Sequence, residues 1–197
     1  MAGASQLVPS FAFSTAVVER ARRVRLVLFD VDGVLTDGRV ILSTSDEYKA
    51  FNIKDGHGIK MLQRCGIDVG IITGRTSRVV ERRAEELGIR HLYQGCKEKL
   101  PVCRQLLGDL RLTSEQTAYV GDDVVDLPIL LQVGLGVAVH DAHELVRQHA
   151  HWVTPSNGGY GAAREVCELV MHAHGTYTEQ MQRYLADPTA LTSASQK

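Results

Sequence analysis

Short apolar runs alternate with amphipathic stretches along most of the chain. The apolar runs predict β-strands over residues 24–29, 69–72, 91–93, 118–120 and 137–139. Between and after them, apolar positions recur at helical spacing, which predicts helices over residues 58–65, 77–87, 98–107, 125–132, 142–149 and 162–174. Strands and helices that alternate in this way are typical of an α/β fold, a doubly wound parallel sheet with helices on both faces.

Segment 40–51 departs from this alternation. In it a polar stretch, residues 43–46, separates two runs that contain β-forming residues, and this pattern predicts a β-hairpin. We expect the hairpin to project from the sheet and to lie over the end of the first strand.

The chain has 197 residues, 44% of them hydrophobic, which suffices for one well-packed domain with a short appendage at each end. We place that domain at residues 24–174. An N-terminal extension, residues 1–23, precedes it, and Ser14 is the expected cap of a short helix there. Residues 175–197 form a C-terminal tail in this division.

Two carboxylates, Asp30 and Asp32, follow the first apolar run and lead directly into Gly33. In open parallel sheets ligands bind at the carboxyl ends of the strands, so this turn is a candidate active site. Like charges a few ångströms apart resist joint ionisation unless a cation neutralises them. Carboxylate oxygens suit a hard cation, and the pair therefore predicts a Mg²⁺ site.

Further polar residues stand where other predicted strands end. Thr73 follows the second strand, Lys99 opens the helix after the third, and Asp122 follows the fourth. Together these side chains fit hydrolysis of a phosphate monoester, one of the slowest uncatalysed reactions in water. In this interpretation Asp30 attacks phosphorus, and Asp32 protonates the leaving oxygen and then activates water.

The same residues would hold the metal ion and the phosphate. Asp30, Asp122 and the main-chain carbonyl of Asp32 are the predicted magnesium ligands. Thr73 and Lys99 are predicted to hold the phosphoryl oxygens.

The composition of the chain limits the kinds of partner that it is expected to bind. Lys and Arg (22) nearly balance Asp and Glu (23), and the net charge of -1 gives no global field for nucleic acid or a membrane surface. No apolar stretch reaches the length of a membrane span, about 20 residues. The four cysteines form no CxxC pair and are expected to be reduced thiols, which predicts a cytoplasmic location.

Four segments resemble the motifs of haloacid dehalogenase-type phosphatases: DVDGVLTDG, IITGR, the Lys99 of GCKEKL, and GDDVVD. Over roughly residues 24–170 the chain is also similar to the family of 3-deoxy-D-manno-octulosonate 8-phosphate phosphatases, in KAFNIKDGHGIKML, LGIRHLYQG, YVGDDVVDLPIL and GGYGAAREVCELV. The resemblance implies a Rossmann-like fold without a cap domain, Mg²⁺ dependence and a homotetramer. It also implies release of inorganic phosphate from a small sugar phosphate in lipopolysaccharide core-sugar synthesis.

Carried over by position, the resemblance assigns the nucleophile to Asp30, the acid/base to Asp32 and a metal-bound carboxylate to Asp122. It also implies substrate contacts from Asp32, Asn52, Ile53, Lys54, Asp55, Gly56, Lys60, Arg75, Arg83, Lys99 and Asp123. The lysines and arginines among these residues suit a substrate with a carboxylate at one end and a phosphate at the other. The chain departs from the family at Tyr160, where arginine is common and a tyrosine brings a hydroxyl and a ring instead of a fixed charge.

The intervals between the motifs, residues 33–72 and 74–98, are too short for a cap domain. Without a cap the phosphoryl site would stay open to water, unless the substrate is macromolecular or a neighbouring subunit closes it. Contacts between subunits, with the hairpin as a candidate surface, are the simpler expectation, and closed symmetric oligomers are the usual outcome.

The sequence leaves three alternatives open. A nonulosonate 9-phosphate phosphatase would share the short hairpin and differ only at the far end of the pocket. A phosphoacceptor signalling domain also uses Asp, Thr, Lys and a metal, but its acceptor follows a middle strand, whereas Asp30 and Asp32 both follow the first. A non-catalytic scaffold would be expected to have lost one of the residues that are intact here.

Overall fold

A computed structural model of the chain describes residues 7–44 and 47–185. Its strands are β1 (Leu26–Phe29), β2 (Ile41–Leu42), β3 (Glu47–Tyr48), β4 (Asp68–Ile72), β5 (His91–Tyr93), β6 (Thr117–Gly121), β7 (Leu135–Ala138) and β8 (Trp152–Val153). Six of them form one parallel sheet in the order β5-β4-β1-β6-β7-β8. The order runs outward in both directions from β1, which confirms the predicted doubly wound α/β fold.

Two groups of helices cover the sheet. The helices are α1 (Thr15–Ala21), α2 (Ile53–Arg64), α3 (Arg78–Leu87), α4 (Lys99–Leu110), α5 (Leu127–Leu130), α6 (Glu144–His149), α7 (Ala162–Ala173) and α8 (Tyr177–Gln182). In one group α2 and α1 both pack on α7, and in the other α4 and α6 both pack on α5. Among the described residues, no separate cap domain interrupts this arrangement.

The register of the sheet fixes where its central strands end. Phe29 of β1 lies opposite Ile71 of β4 on one side and Val120 of β6 on the other. All of β1 is fully buried, as expected for an apolar strand covered on both faces. The segments that follow these three strands therefore leave the sheet at the same edge.

Helix α2 begins at Ile53, earlier than the predicted residue 58. Asn52 caps it, because its side-chain oxygen accepts a hydrogen bond from the N–H of Lys54 at 2.8 Å. Glycine disfavours helices, and Gly56 in the first turn concealed this start in the sequence. Further along the helix Gly58 allows close packing, since a Cβ there would lie 2.7 Å from the side chain of Arg164 on α7.

The sequence analysis also missed β8 and α8. β8 has only two residues, too few for a recognisable apolar run, and α8 lies in the segment assigned to the C-terminal tail. The division of the chain into an extension, a domain and a tail stays a prediction.

The described part of the N-terminal extension packs on the domain. The Ser14 side chain accepts a hydrogen bond from a backbone N–H of α1 at 3.3 Å, which confirms the predicted cap. The Phe11 ring stacks on Trp152 of β8 with 5.7 Å between centroids, and Phe13 contacts His172 of α7. These aromatic contacts cover the β8 edge of the sheet.

The predicted hairpin is present as an antiparallel pair, β2 and β3, with Ile41 opposite Tyr48. Residues 45 and 46 of its turn lie outside the described part of the chain. Ile41, Leu42 and Tyr48 are 61%, 71% and 55% exposed. The described part of a single chain thus leaves an apolar surface on the hairpin uncovered.

Candidate active site

The strand register brings the candidate residues together. Asp30 follows β1, Thr73 follows β4, and Asp122 follows β6, so all three leave the sheet at one edge. Lys99 is the first residue of α4, the helix that comes after β5. Residues that are far apart in sequence therefore meet because parallel strands end together.

A cavity of about 280 Å³ opens at this edge. It is lined by Asp30, Asp32, Gly38, Thr73, Gly74, Arg75, Lys99, Asp122, Asp123 and Val125. The lining contains every residue that the sequence analysis placed at the reaction centre. Two of the further predicted substrate contacts, Arg75 and Asp123, also line it, whereas the roles of all these residues stay predictions.

Asp30 is buried at this cavity, and its two oxygens differ. Its Oδ2 lies 2.9 Å from Nζ of Lys99. Its Oδ1 is buried and has no hydrogen-bond partner among the described residues. Burial raises the pKa of Asp30 to about 6, although the charge of Lys99 acts in the opposite direction. A buried oxygen without a partner is costly, so Oδ1 is the atom available to a cation or a substrate.

Asp122 lies close to Asp30 and to the turn at Gly33. Carboxylate oxygens of Asp30, Asp122 and Asp126 lie within 4.8 Å of one another. Burial, followed by the negative charges of Asp126 and Asp30, raises the pKa of Asp122 to about 8. Gly33 has φ of +85°, and a Cβ there would overlap the Asp122 carboxylate. Only glycine allows the turn and the carboxylate to share this space.

The sequence analysis gave Asp126 no role in the site, but the structure gives it one. Its Oδ2 accepts hydrogen bonds from the backbone N–H groups of Asp122 and Asp123, at 2.9 and 3.2 Å. Its Oδ1 accepts from Lys99 Nζ and from the hydroxyl of Tyr119, both at 2.6 Å. Both oxygens are thus engaged, so Asp126 shapes the loop that carries Asp122.

These donors fit a hard divalent cation. Two buried carboxylates, Asp30 and Asp126, and the half-buried Asp122 repel one another, and a cation among them removes that repulsion. Because Asp126 is occupied, the carboxylates free to hold such an ion are those of Asp30 and Asp122. The predicted magnesium site is therefore consistent with the chemistry of this cluster.

Lys99 carries its charge in a nearly closed environment, since its side chain is 3% exposed. Burial lowers the pKa of Lys99, but the charges of Asp30 and Asp126 outweigh this effect and leave the pKa raised. The hydroxyl of Tyr119, which is fully buried, lies 3.3 Å from Nζ. The signal for Tyr119 in the sequence is a phenol within a buried strand, because such a hydroxyl needs a partner.

Asp32 has a partner that the sequence analysis did not identify. Nζ of Lys49, which follows β3 of the hairpin, contacts Oδ1 of Asp32. Arg75 approaches the other side, with 3.7 Å between its Nε and Oδ2 of Asp32. The available signal was the Glu47–Lys49 spacing, which places opposite charges on the same face of a strand.

The remaining predicted substrate contacts lie outside the cavity of about 280 Å³ that contains Asp30, which we call the catalytic cavity. Among the described residues, none from 52 to 60 lines that cavity, and neither does Arg83. A second cavity of about 240 Å³, at the start of α2 and along α3, is lined by Ile53, Gly56, His57, Lys60, Arg83, Glu86 and Leu87. Asn52 instead donates a hydrogen bond to the carbonyl of Gly159 at 3.2 Å, and Lys54 is exposed.

The side chain of Asp55 points into the protein and lines neither of these two cavities. It is 2% exposed, and its carboxylate accepts hydrogen bonds from the backbone N–H groups of Arg164, at 2.7 Å, and Gly161, at 3.3 Å. Asp55 therefore caps α7 from a neighbouring helix. Burial raises the pKa of Asp55 to about 6. These two hydrogen bonds occupy the carboxylate of Asp55 within its own chain, and its predicted contact with substrate stays a prediction.

The glycine-rich segment 156–161 lies against the loop between β1 and β2 of the same chain, residues 30–40, which we call the catalytic loop. The N–H of Gly159 donates to the carbonyl of Val34 at 2.9 Å, and the N–H of Gly158 donates to Asp141 at 2.9 Å. A Cβ at Gly158 would overlap the carbonyl of Gly33. Tyr160, next along the segment, is 61% exposed.

Comparison with known proteins gives the family. The profile of haloacid dehalogenase-like hydrolases matches residues 93–166. The 3-deoxy-D-manno-octulosonate 8-phosphate phosphatase KdsC of Yersinia pestis is 51% identical over 158 residues, which cover 80% of this chain and 84% of the relative. This chain belongs to the family of 3-deoxy-D-manno-octulosonate 8-phosphate phosphatases. KdsC of Escherichia coli K12 is 46% identical over 179 residues, 90% of this chain and 95% of the relative.

A solved structure of the family supports the same fold. The crystal structure of the enzyme from Moraxella catarrhalis superposes with a TM-score of 0.86 at 38% identity, covering 87% of this chain and 99% of that one. That crystal contains a magnesium ion, a phosphate ion and a KDO molecule. Among the described residues of our chain, no helix combines the length and apolarity that a transmembrane span requires.

Proposed function

We propose that this chain is a magnesium-dependent phosphatase that hydrolyses 3-deoxy-D-manno-octulosonate 8-phosphate to the free keto-sugar acid and inorganic phosphate, in lipopolysaccharide biosynthesis. The single observation that carries the proposal is the buried Asp30 beside Asp122, with one oxygen on Lys99 and the other without a hydrogen-bond partner in the part of the chain that the structure describes. Family membership supports the choice of substrate, because the relatives carry this activity in their names.

In the first half of the reaction, an oxygen of Asp30 attacks phosphorus. The P–O bond to the sugar breaks, its electron pair goes to the leaving oxygen, and Asp32 supplies the proton. The free sugar acid leaves, and Asp30 carries an acyl phosphate. Lys99, 2.9 Å from Oδ2 of Asp30, balances charge at the nucleophile, and Thr73 at the end of β4 holds a phosphoryl oxygen.

In the second half, Asp32 acts as a base. Its carboxylate takes a proton from a water molecule while the water oxygen attacks phosphorus. The acyl P–O bond breaks, its electron pair returns to Asp30, and inorganic phosphate leaves. Asp32 is left protonated, ready to act as the acid in the next turnover.

Asp30, Asp122 and the main-chain carbonyl of Asp32 are the residues that would hold Mg²⁺. When bound, the ion offsets the negative charge of the carboxylates and of the phosphoryl group. Two features support this assignment: Oδ1 of Asp30 has no hydrogen-bond partner within residues 7–44 and 47–185, and the pKa of Asp122 is raised.

A second copy of the chain would complete the substrate site. Lys60 and Arg83 lie outside the catalytic cavity of their own chain, and their charges suit the carboxylate of the sugar acid. We therefore propose that the homotetramer expected from the family brings these residues to a neighbouring cavity. The exposed apolar residues of the hairpin, among them Ile41 and Leu42, are the surface proposed for this assembly.

The test of the function is phosphate release by the purified protein from a panel of sugar phosphates, with and without Mg²⁺. We expect 3-deoxy-D-manno-octulosonate 8-phosphate to give the highest kcat/KM, with activity lost on chelation and restored by Mg²⁺. A higher kcat/KM for a nonulosonate 9-phosphate would replace the substrate and leave the chemistry unchanged. No turnover of any member by a folded protein would contradict the proposal.

Two further expectations accompany this function. Light scattering coupled to size-exclusion chromatography measures the subunit number, and four subunits are expected. A cytoplasmic location, predicted from the cysteines, is checked by fractionating cells that produce the chain and assaying each fraction.

A further inference from the structure

Lys49 contacts Asp32, although the sequence analysis assigned Lys49 no role. It follows β3 of the exposed hairpin, yet its side chain is fully buried. Its Nζ contacts Oδ1 of Asp32 and lies 3.3 Å from Oε1 of Glu47. Lysine side chains are almost never fully buried unless they are paired, so this placement indicates a defined role.

The contact belongs to a ring of four alternating charges. Arg75 completes the ring, at 3.7 Å from Oδ2 of Asp32 and 3.4 Å from Oε1 of Glu47. Two cations thus balance two anions, which offsets the cost of burying the ammonium group of Lys49.

The two cations of the ring differ in their access to the cavity. The side chain of Arg75 is 53% exposed and lines the cavity. The side chain of Lys49 has no exposed surface and is absent from the lining. Arg75 can therefore meet a substrate directly, whereas Lys49 acts on a substrate only through Asp32.

We propose that Lys49 is a positioning residue for proton transfer. Its ammonium group holds Oδ1 of Asp32 and leaves Oδ2 to exchange the proton with the leaving oxygen and with water. Glu47 holds Lys49 in turn, so the stem of the hairpin is tied to the catalytic loop. The proposal rests on the acid/base role proposed for Asp32.

Orientation matters here because a general acid must lie within hydrogen-bond reach of the oxygen that it protonates. A carboxylate free to rotate spends part of its time turned away, and small misplacements cost rate rather than binding. Loss of Lys49 should therefore lower kcat and leave KM nearly unchanged.

The first experiment compares Lys49→Met with the wild type on two substrates. Release of a sugar alkoxide needs the acid, whereas release of p-nitrophenolate does not. We expect kcat/KM for the sugar phosphate to fall by about tenfold to a hundredfold, part of the range that acid–base catalysis supplies, and that for p-nitrophenyl phosphate by less than about threefold. An equal loss on both substrates would count against the proposal.

The second experiment is a double-mutant cycle that combines Lys49→Met with Asp32→Asn. Its measured quantity is the single-turnover rate at which the sugar phosphate is consumed. If Lys49 acts through Asp32, adding Lys49→Met to Asp32→Asn changes the rate by less than about twofold. Independent, multiplicative effects would overturn the proposal, because they would show that Lys49 acts on the substrate itself.

Three controls complete the design. Lys97→Met removes an exposed lysine near the same sheet edge and should keep wild-type kinetics. Lys49→Arg keeps the charge and should recover part of the lost rate. If circular dichroism shows that Lys49→Met does not fold, Lys49→Gln, which keeps a hydrogen-bond donor without the charge, takes its place.

A wild-type protein that is inactive on this sugar phosphate would contradict only the proposed substrate. The comparison of variants can then use the alkyl phosphate of the panel with the highest kcat/KM.

Discussion

At the scale of single residues, the site depends on how buried charges are partnered. Lys99 lies between Asp30 and Asp126, and the hydroxyl of Tyr119 donates to Asp126 from the strand beneath. Each of these polar groups would be costly to bury alone. Their mutual contacts hold the cation of Lys99 beside the nucleophile before any substrate arrives.

Tyr119→Phe tests this arrangement, because it removes one hydroxyl and little volume. We expect the free energy of unfolding to fall by about 1.5–3 kcal/mol, the usual contribution of a hydrogen bond to a charged group. We also expect kcat to fall by up to about tenfold, because a displaced Lys99 stabilises the transition state less. A loss of about 1.4 kcal/mol of that stabilisation corresponds to a tenfold slower reaction. Denaturant unfolding and steady-state kinetics measure the two effects. Tyr177→Phe on α8 is the matched control, and wild-type values for Tyr119→Phe would refute the argument.

Asp30→Asn should abolish turnover, because an amide is a poor nucleophile and a weaker metal ligand. Asp32→Asn should still form some phosphoenzyme but hydrolyse it slowly, since the base that activates water is lost. Rapid-quench trapping of phosphoprotein separates the two variants. Activity retained in the first, or normal turnover in the second, would remove that residue from its proposed role.

At the scale of elements, the catalytic loop after β1 is held by a segment from the far end of the domain. The glycines of segment 156–161 approach the loop more closely than any side chain would allow, and Gly159 donates to Val34. The close approach therefore requires glycine at positions 158 and 159. The segment acts on its own chain, whatever it also contributes to a neighbouring copy.

Gly158→Ala should displace the catalytic loop, because the added methyl group overlaps the carbonyl of Gly33. We expect kcat to fall at least tenfold and unfolding to become easier by about 1–3 kcal/mol. Gly108→Ala in α4 is the control, since a Cβ there meets open space. It should be neutral or stabilising by up to about 1 kcal/mol. Equal behaviour of the two variants would show that the close approach is unimportant.

At the scale of the whole molecule, the acidic cluster links stability to pH and to magnesium. The pKa of Asp122 is raised from 3.8 to about 8 by burial and by neighbouring carboxylates. Between these two pH values the folded protein keeps a proton that the unfolded chain releases. Rising pH therefore favours unfolding over this window, and the stability held below pH 3.8 is lost as pH passes through about 8.

Thermal unfolding in chelator at pH 5.5 and pH 8 checks this linkage against Asp122→Asn. We expect the wild type to lose a few degrees of Tm more than the variant between the two pH values. Mg²⁺ should raise the Tm of the wild type, and more at pH 8, because it binds the deprotonated carboxylates. The same pH dependence in both proteins would contradict the role of Asp122.

Much of the fold and the centre of the site could be predicted from the sequence. The apolar runs fixed the parallel sheet, because a strand buried on both faces must be apolar throughout. Asp30, Thr73 and Asp122 were found because polar residues directly after such runs must meet at one edge. The hairpin was visible because two short β-forming runs flank a polar turn, and the cap of α1 because Ser14 precedes a helical run.

Only the tertiary structure decided which side chains partner one another across the chain. Lys49 and Asp32 meet because the hairpin folds back over the sheet. The Glu47–Lys49 spacing places two opposite charges on one face of the strand, but it does not show that Asp32 is the partner of Lys49. The side chain of Asp55 turns inward because α7 begins beside it and its free N–H groups need an acceptor. Sequence periodicity reports how each segment buries its own apolar face, whereas charge pairing between segments depends on distances that exist only after folding.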